Sequence, residues 1–271
     1  MSYCRKCGAE LVNDARFCSA CGTPVAAPSK PIEAHKTLKV SGKPKIIVTV
    51  MPPGVVEVKK GSEGEVAVDL DLRKPEELDC SISQDDNTVT VKCRSQVHPL
   101  HWAKYAFSQG PKADVFIAVP EEADLDLESS VGPITITGVK GKLEAETSVG
   151  TMKIRDCEGI IKVRTKAGSI NLENIIGTIT ARSSAGSIEF NGALSKGENW
   201  FKTSVGRIEI VLQGKPDLTV DASSRVGRVT CDLELVEARY DRFIGGRCTG
   251  RIGAGAGKLI AETETGSIKI R

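Results

Sequence analysis

The sequence predicts an all-β chain whose larger part is a β-solenoid. Three observations carry that expectation. A short phrase recurs between Leu125 and Arg271: LESSVGPITI, AETSVGTMKI, VRTKAGSINL, ARSSAGSIEF, FKTSVGRIEI, DASSRVGRVTC and AETETGSIKI. Its central glycines are Gly132, Gly150, Gly168, Gly186, Gly206, Gly227 and Gly266; the first four are spaced by 18 residues and the next two steps by 20 and 21. A fixed period of this length marks stacked repeats. Within each copy apolar and polar residues alternate, which is the period of strands. Aromatics make up only 4% of the chain, in keeping with a thin solenoid that has little room for large rings.

Aligned from Leu125, Leu143, Ile161 and Ile179, the copies give consistent columns. The first is Leu or Ile; the third is Leu127, Ala145, Val163, Ala181; the seventh is Val131, Val149, Ala167, Ala185. The tenth runs Ile134, Met152, Ile170, Ile188, and the twelfth Ile136, Ile154, Leu172, Phe190. One copy holds two strands of about five residues joined at the glycine, and a third short side ends near Gly141, Gly159 and Gly177. A single copy cannot bury its apolar face, whereas parallel stacking at about 4.8 Å per coil closes a core. The expected solenoid has about seven coils. The glycine column fits a corner of close backbone approach. The fifth column is always Ser or Thr (Ser129, Thr147, Thr165, Ser183, Thr203, Ser224, Thr263). Its hydroxyls are read as hydrogen-bonding along the ladder.

The 271 residues suffice for a large core. A net charge of +2 argues neither for nor against a polyanionic partner. No apolar run reaches membrane-spanning length, and the N-terminus does not read as a signal peptide. A cytoplasmic location is therefore expected, with peripheral envelope association left open.

Residues 1–24 carry Cys4-x-x-Cys7 and Cys18-x-x-Cys21, each pair followed by glycine. Each CxxCG can fold as a knuckle presenting two thiolates, and two knuckles complete a tetrahedral four-thiolate site. One structural Zn2+ is the expected cofactor. Four thiolates leave no open coordination position, so chemistry at the metal is not expected. The segment resembles the short zinc ribbons at the N-termini of many bacterial proteins, Phe17 before the second knuckle included. Arg5 and Ser19 stand where those ribbons usually have proline. The resemblance implies a structural or interaction module.

Residues 25–36, VAAPSKPIEAHK, read as a linker. Residues 37–124 alternate without the repeated phrase and are expected to form a β-rich cap, because an open solenoid end invites pairing with other chains. Residues 125–271 are the repeats. Within the lead-in, residues 95–113 break the pattern and hold His98, His101, Trp102, Tyr105 and Phe107. Trp102, Tyr105 and Phe107 are candidate partner anchors, against the plainer reading of a lid on the solenoid end. The two histidines have no metal-ligand pattern.

The outward columns carry charge. The fourth reads Glu128, Glu146, Arg164, Arg182, Lys202, Ser223, Glu262, acidic early and basic in the middle. Arg164, Arg182 and Lys202 are candidate partner or polyanion contacts, against the plainer reading of a solvated face. The GAGAGK run of residues 253–258 is not a phosphate loop: the spacing is GxGxG, and Leu259 follows Lys258. The recurrent Ser-x-Gly lacks the preceding glycine of a nucleophile elbow.

Residues 37–271 resemble a bacterial β-helix family of candidate adhesins catalogued as a domain of unknown function. The carrying residues are VAVDLDLRKPEELDCSISQDDNTVTVKC, VPEEADLDLESSVGPITITGVKG, the serial T/S-x-x-G-x-I-x-I coils and the closing TETGSIKIR. The resemblance implies a right-handed parallel β-helix and no catalytic residues. The expected function is a non-enzymatic scaffold or binding protein, the ribbon acting as an interaction module and the partner being a protein. Alternatives are an exported cell-surface adhesin and a carbohydrate-active β-helix enzyme, the latter needing gathered carboxylates. A polyanion or glycan partner is possible on the basic coils. The final strand, Gly266–Arg271, offers an edge through which copies of the chain could pair.

Overall fold

The computed structural model describes residues 2–3, 9–11, 18–21, 34–96, 110–241 and 245–271. The chain divides into two compact units, Met1–Ile32 and Glu33–Arg271. In the first, strands Ser2–Tyr3 and Glu10–Leu11 pair antiparallel and bracket the first CxxC. In the second, one continuous sheet of 22 strands winds into stacked coils, and the described residues contain no α-helix.

The repeats stack in parallel and in register. Leu125 pairs with Leu143, Leu143 with Ile161 and Ile161 with Ile179, so like residues lie over like. Every second residue points inward because side chains alternate across a strand. Leu127, Ile134, Ile136, Leu143, Ile154, Ile161, Leu172, Ile179, Phe190 and Phe201 fill the interior. The Phe190 and Phe201 rings meet edge-on at 5.2 Å. The third side adds a buried column of Val139, Cys157 and Ile175.

At the glycine corner the coils touch backbone to backbone. A Cβ on Gly168 would run into the Gly150 carbonyl, and one on Gly150 into that of Gly132. The hydroxyl column lies beside this contact. Ser183 donates to the Gly168 carbonyl at 3.1 Å, Thr203 to Gly186 at 3.0 Å and Ser224 to Gly266 at 2.8 Å. The column therefore ties each coil to its neighbour, as read from the sequence. Ser129 is the exception: its Oγ is buried without a partner. Beneath it the corner Met51–Gly54 is one residue longer than the repeat's and carries two prolines. The seventh column does not face the core. Val131, Val149, Val205 and Val226 are 43–59% exposed, because the chain turns outward just before the glycine.

The spatial order of coils departs from chain order at both ends. Lys45–Val50 and Val56–Lys60 lie parallel beneath Asp124–Val131 and Ile134–Thr137. Gly54 takes the corner position beneath Gly132. Thr88–Ser95 and Lys112–Val119 form a further coil beneath 45–60. The lead-in thus contributes two coils that lack the repeated phrase. It also caps them, with His35–Lys39 and Glu65–Arg73 antiparallel on one wall and Leu78–Asp85 on the other.

At the far end, Gly257–Thr265 and Ile268–Ile270 lie between the coils 198–212 and 218–231. The last coil in sequence is therefore the penultimate coil in space. The expectation of an open edge at Gly266–Arg271 is corrected, since Ile268–Ile270 is flanked on both sides. Val236–Asp241 and Gly246–Ile252 form a hairpin antiparallel on Leu218–Val226, covering the terminal coil. Among described residues the solenoid has nine coils rather than the expected seven, the two extra coming from the lead-in.

Candidate binding wall and cysteine sites

The outward face of the wall built on strands such as Asp124–Val131 and Lys140–Val149 places the charged columns side by side. Glu128, Glu146, Arg164 and Arg182 occupy one column on four successive coils, all exposed. None of the four has an ion-pair partner among the described residues, although Glu146 and Arg164 are direct neighbours in register. Lys202 follows Arg182 in register but bonds Glu262 at 2.9 Å. The basic ladder of three therefore has two unpaired members. The inserted C-terminal coil supplies the acid for the third. In the adjacent column Glu144 lies 3.1 Å from Lys142 and 3.2 Å from Lys162. The hydrogen bond from Lys142, with that from Lys162, holds its carboxyl below the usual range. Glu128, Glu144, Glu146, Lys162, Arg164 and Arg182 line a shallow open groove of about 460 Å³. Trp200 stands next to Thr180 on the same face, its indole N–H 3.4 Å from Glu198.

Of the ribbon cysteines, Cys18 is buried and Cys21 exposed in the turn 19–21, while Cys4 and Cys7 lie outside the described residues. No group of three or more metal-ligating side chains occurs among the described residues. The donor set of four cysteine thiolates still suits a tetrahedral thiophilic ion. His98, His101, Trp102, Tyr105 and Phe107 also lie outside the described residues.

Two further pairs of cysteines meet in the second unit. Cys80 and Cys93 face each other across the hairpin Leu78–Asp85/Thr88–Ser95 and form a disulfide. Cys231, in register with Ile270 on the terminal coil, is half-exposed because no coil lies beyond it. Its thiol contacts buried Cys248 of the covering hairpin; the hydrogen bond from Cys248 lowers it to about 7, and the same contact pushes Cys248 up. Cys80 and Cys93 are set opposite each other by the two-residue turn of their own hairpin, whereas Cys231 and Cys248 meet only because the covering hairpin folds back over the terminal coil.

Parallel coils stacked in register, with a charged outer wall, define the chain's second unit as an all-β solenoid of repeats. Residues 123–271, more than half of the chain, match the Toastrack DUF4097 family, and the chain belongs to it. A zinc-ribbon domain matches residues 3–25. No curated protein sequence matches the chain. Among solved structures it is similar to a candidate adhesin from Bacteroides fragilis NCTC 9343, with 14% identity and a TM-score of 0.46 over 88% of this chain and 96% of that one. It is also similar to a candidate cell adhesion protein from Clostridium sporogenes ATCC 15579, with 11% identity and a TM-score of 0.35 over 87% and 97%.

Proposed function

We propose that the chain is a non-catalytic scaffold in which a zinc ribbon recruits a protein partner and the solenoid, a parallel β-helix, presents a rigid binding wall. In this reading the chain is organised as ribbon 1–24, linker 25–36, β-rich lead-in 37–124 and repeats 125–271. Cys4, Cys7, Cys18 and Cys21 hold one structural Zn2+, and Arg164, Arg182 and Lys202 contribute to the wall. The observation that carries it is the wall itself: four exposed charges on adjacent rungs of a stiff sheet, none paired within the described residues. The test is a pull-down from native cell extract with the full chain, a chain starting at Pro28 and a full-length R164E/R182E variant. Loss of a partner with the ribbon or with the arginines supports the reading. A partner set unchanged in both, or hydrolysis of a polysaccharide by the purified chain, overturns it.

A second reading, an exported adhesin, is favoured by the Cys80–Cys93 disulfide, since disulfides persist in oxidising compartments. A membrane-impermeant thiol reagent applied to intact cells separates the two. Labelled surface chain with Cys80 and Cys93 oxidised supports export, and unlabelled chain with both thiols reduced supports a cytoplasmic scaffold.

A further inference from the structure

The charges on the outer wall follow an order along the stack. On the column of Glu128, Glu146, Arg164 and Arg182 the signs run minus, minus, plus, plus on successive rungs. The rungs are about 4.8 Å apart. The pattern is antisymmetric about the midpoint between Glu146 and Arg164. A twofold axis parallel to the strands at that level, set outside the sheet, reverses the rung order while keeping each column opposite itself. We propose that this wall is an isologous interface with a second copy of the chain, related by that axis. The assignment rests on the reading of the wall as a binding face and names its partner.

With the axis there, Glu146 meets Arg164 of the second copy and Glu128 meets Arg182 of the second copy, each pair formed twice by symmetry. The match continues outward. Lys92 lies two rungs beyond Glu128, through Thr49, and Glu262 lies two rungs beyond Arg182, through Lys202. The axis sets Lys92 against Glu262.

In the neighbouring columns Glu144 meets Lys162, Lys45 meets Glu198, and Ile47 meets Trp200. The last is an apolar anchor on each side of the centre, both side chains half-exposed. No rung of these three columns opposes like charges. Other registers fail: an axis along the stack, or one shifted by half a rung, sets Arg164 against itself. Sheets pack face to face about 10 Å apart, a gap that arginine and glutamate side chains span together. The pairs sit at an accessible face, so their attraction is screened over about 10 Å at 0.1 M salt and about 3 Å at 1 M.

Sedimentation velocity on the full chain tests this with two charge reversals. R164E/R182E makes the four rungs uniformly acidic, and E128R/E146R makes them uniformly basic. The wild type dimerises at low salt and dissociates at about 1 M. Each variant alone dimerises at least about tenfold more weakly, and an equimolar mixture of the two restores a heterodimer, which also shows that both variants are folded. A wild type that is monomeric at low salt overturns the proposal, as does a dimer indifferent to both reversals or a mixture that stays monomeric. If the wild type is monomeric while R164E/R182E still loses a partner in the pull-down, the wall binds another molecule. The dimer then fails and the binding reading stands.

Discussion

The hydroxyl column shows how a single residue type can serve opposite roles at one position. Ser183 and Ser224 satisfy a carbonyl of the neighbouring coil, while Ser129 is buried with its hydroxyl unpaired. Removing a paired buried hydroxyl costs about 1 kcal/mol, and removing an orphaned one costs nothing or stabilises. Ser183→Ala is therefore expected to lower stability in denaturant unfolding by about 1 kcal/mol, and Ser129→Ala to leave it unchanged or raise it. Cys231 allows a second residue-scale prediction. The hydrogen bond from Cys248 favours its thiolate and brings its titration to about 7, whereas burial, the largest influence on Cys157, pushes that thiol up. Since the thiolate is the nucleophile, Cys231 is expected to alkylate well ahead of Cys157 at neutral pH, with a half-maximal rate near pH 7. Peptide mapping after brief iodoacetamide treatment measures this. Substituting Cys248 should move the Cys231 profile upward.

At the scale of elements, the intercalated C-terminal coil has the largest consequence. It is hydrogen-bonded to coil 198–212 on one side and coil 218–231 on the other. A chain ending at residue 256 leaves both neighbours with open edges. A chain ending at 213 leaves one. Hydrogen exchange at Ile208–Leu212 is expected to accelerate in the first truncation, and that chain is expected to aggregate more than the shorter one. Entry into the inserted coil is held by Asp217, whose carboxylate accepts from the amides of Gly255 at 2.7 Å and Ala256 at 3.2 Å. Gly255 has φ +77° and Gly253 φ +66°, the left-handed region in which glycine is favoured. The Ala256 amide, with that of Gly255, keeps the Asp217 carboxyl below its ordinary value. The folded state then binds fewer protons than the unfolded state near pH 4. The contribution is present above about pH 4 and is lost as pH falls through the depressed value. Asp217→Ala is expected to lower the melting temperature at neutral pH and to narrow the gap from wild type in acid.

For the whole molecule, the two units are expected to respond independently to metal. Structural zinc in such peptides contributes on the order of 10 kcal/mol of folding energy, and the solenoid has its own apolar core. A strong chelator is expected to release one zinc per chain and unfold the ribbon while the β signature and melting of the solenoid persist. Zinc release with loss of the solenoid would show that the units are coupled. Retention of zinc after mutation of all four ribbon cysteines would place the metal elsewhere.

The all-β class, the stacking of residues 125–212 and the zinc-ribbon segment were legible because each depends on local periodicity or spacing. Alternation at period 2 sets which side chains face inward whatever lies above or below, and CxxCG defines a knuckle within a few residues. The glycine and hydroxyl columns were legible for the same reason: a corner repeated at constant interval exposes its own chemistry. What only the tertiary structure decided is adjacency. Strand pairing is a contact between distant segments, and an alternating strand fits equally well on either neighbour. Nothing local therefore told that 45–60 is a coil, that 257–270 slips beneath 218–231, or that Cys231 meets Cys248. The charge order on the wall lay between the two: its signs were written in the fourth column, and the completed stack set which rungs bound it and which residues continue it.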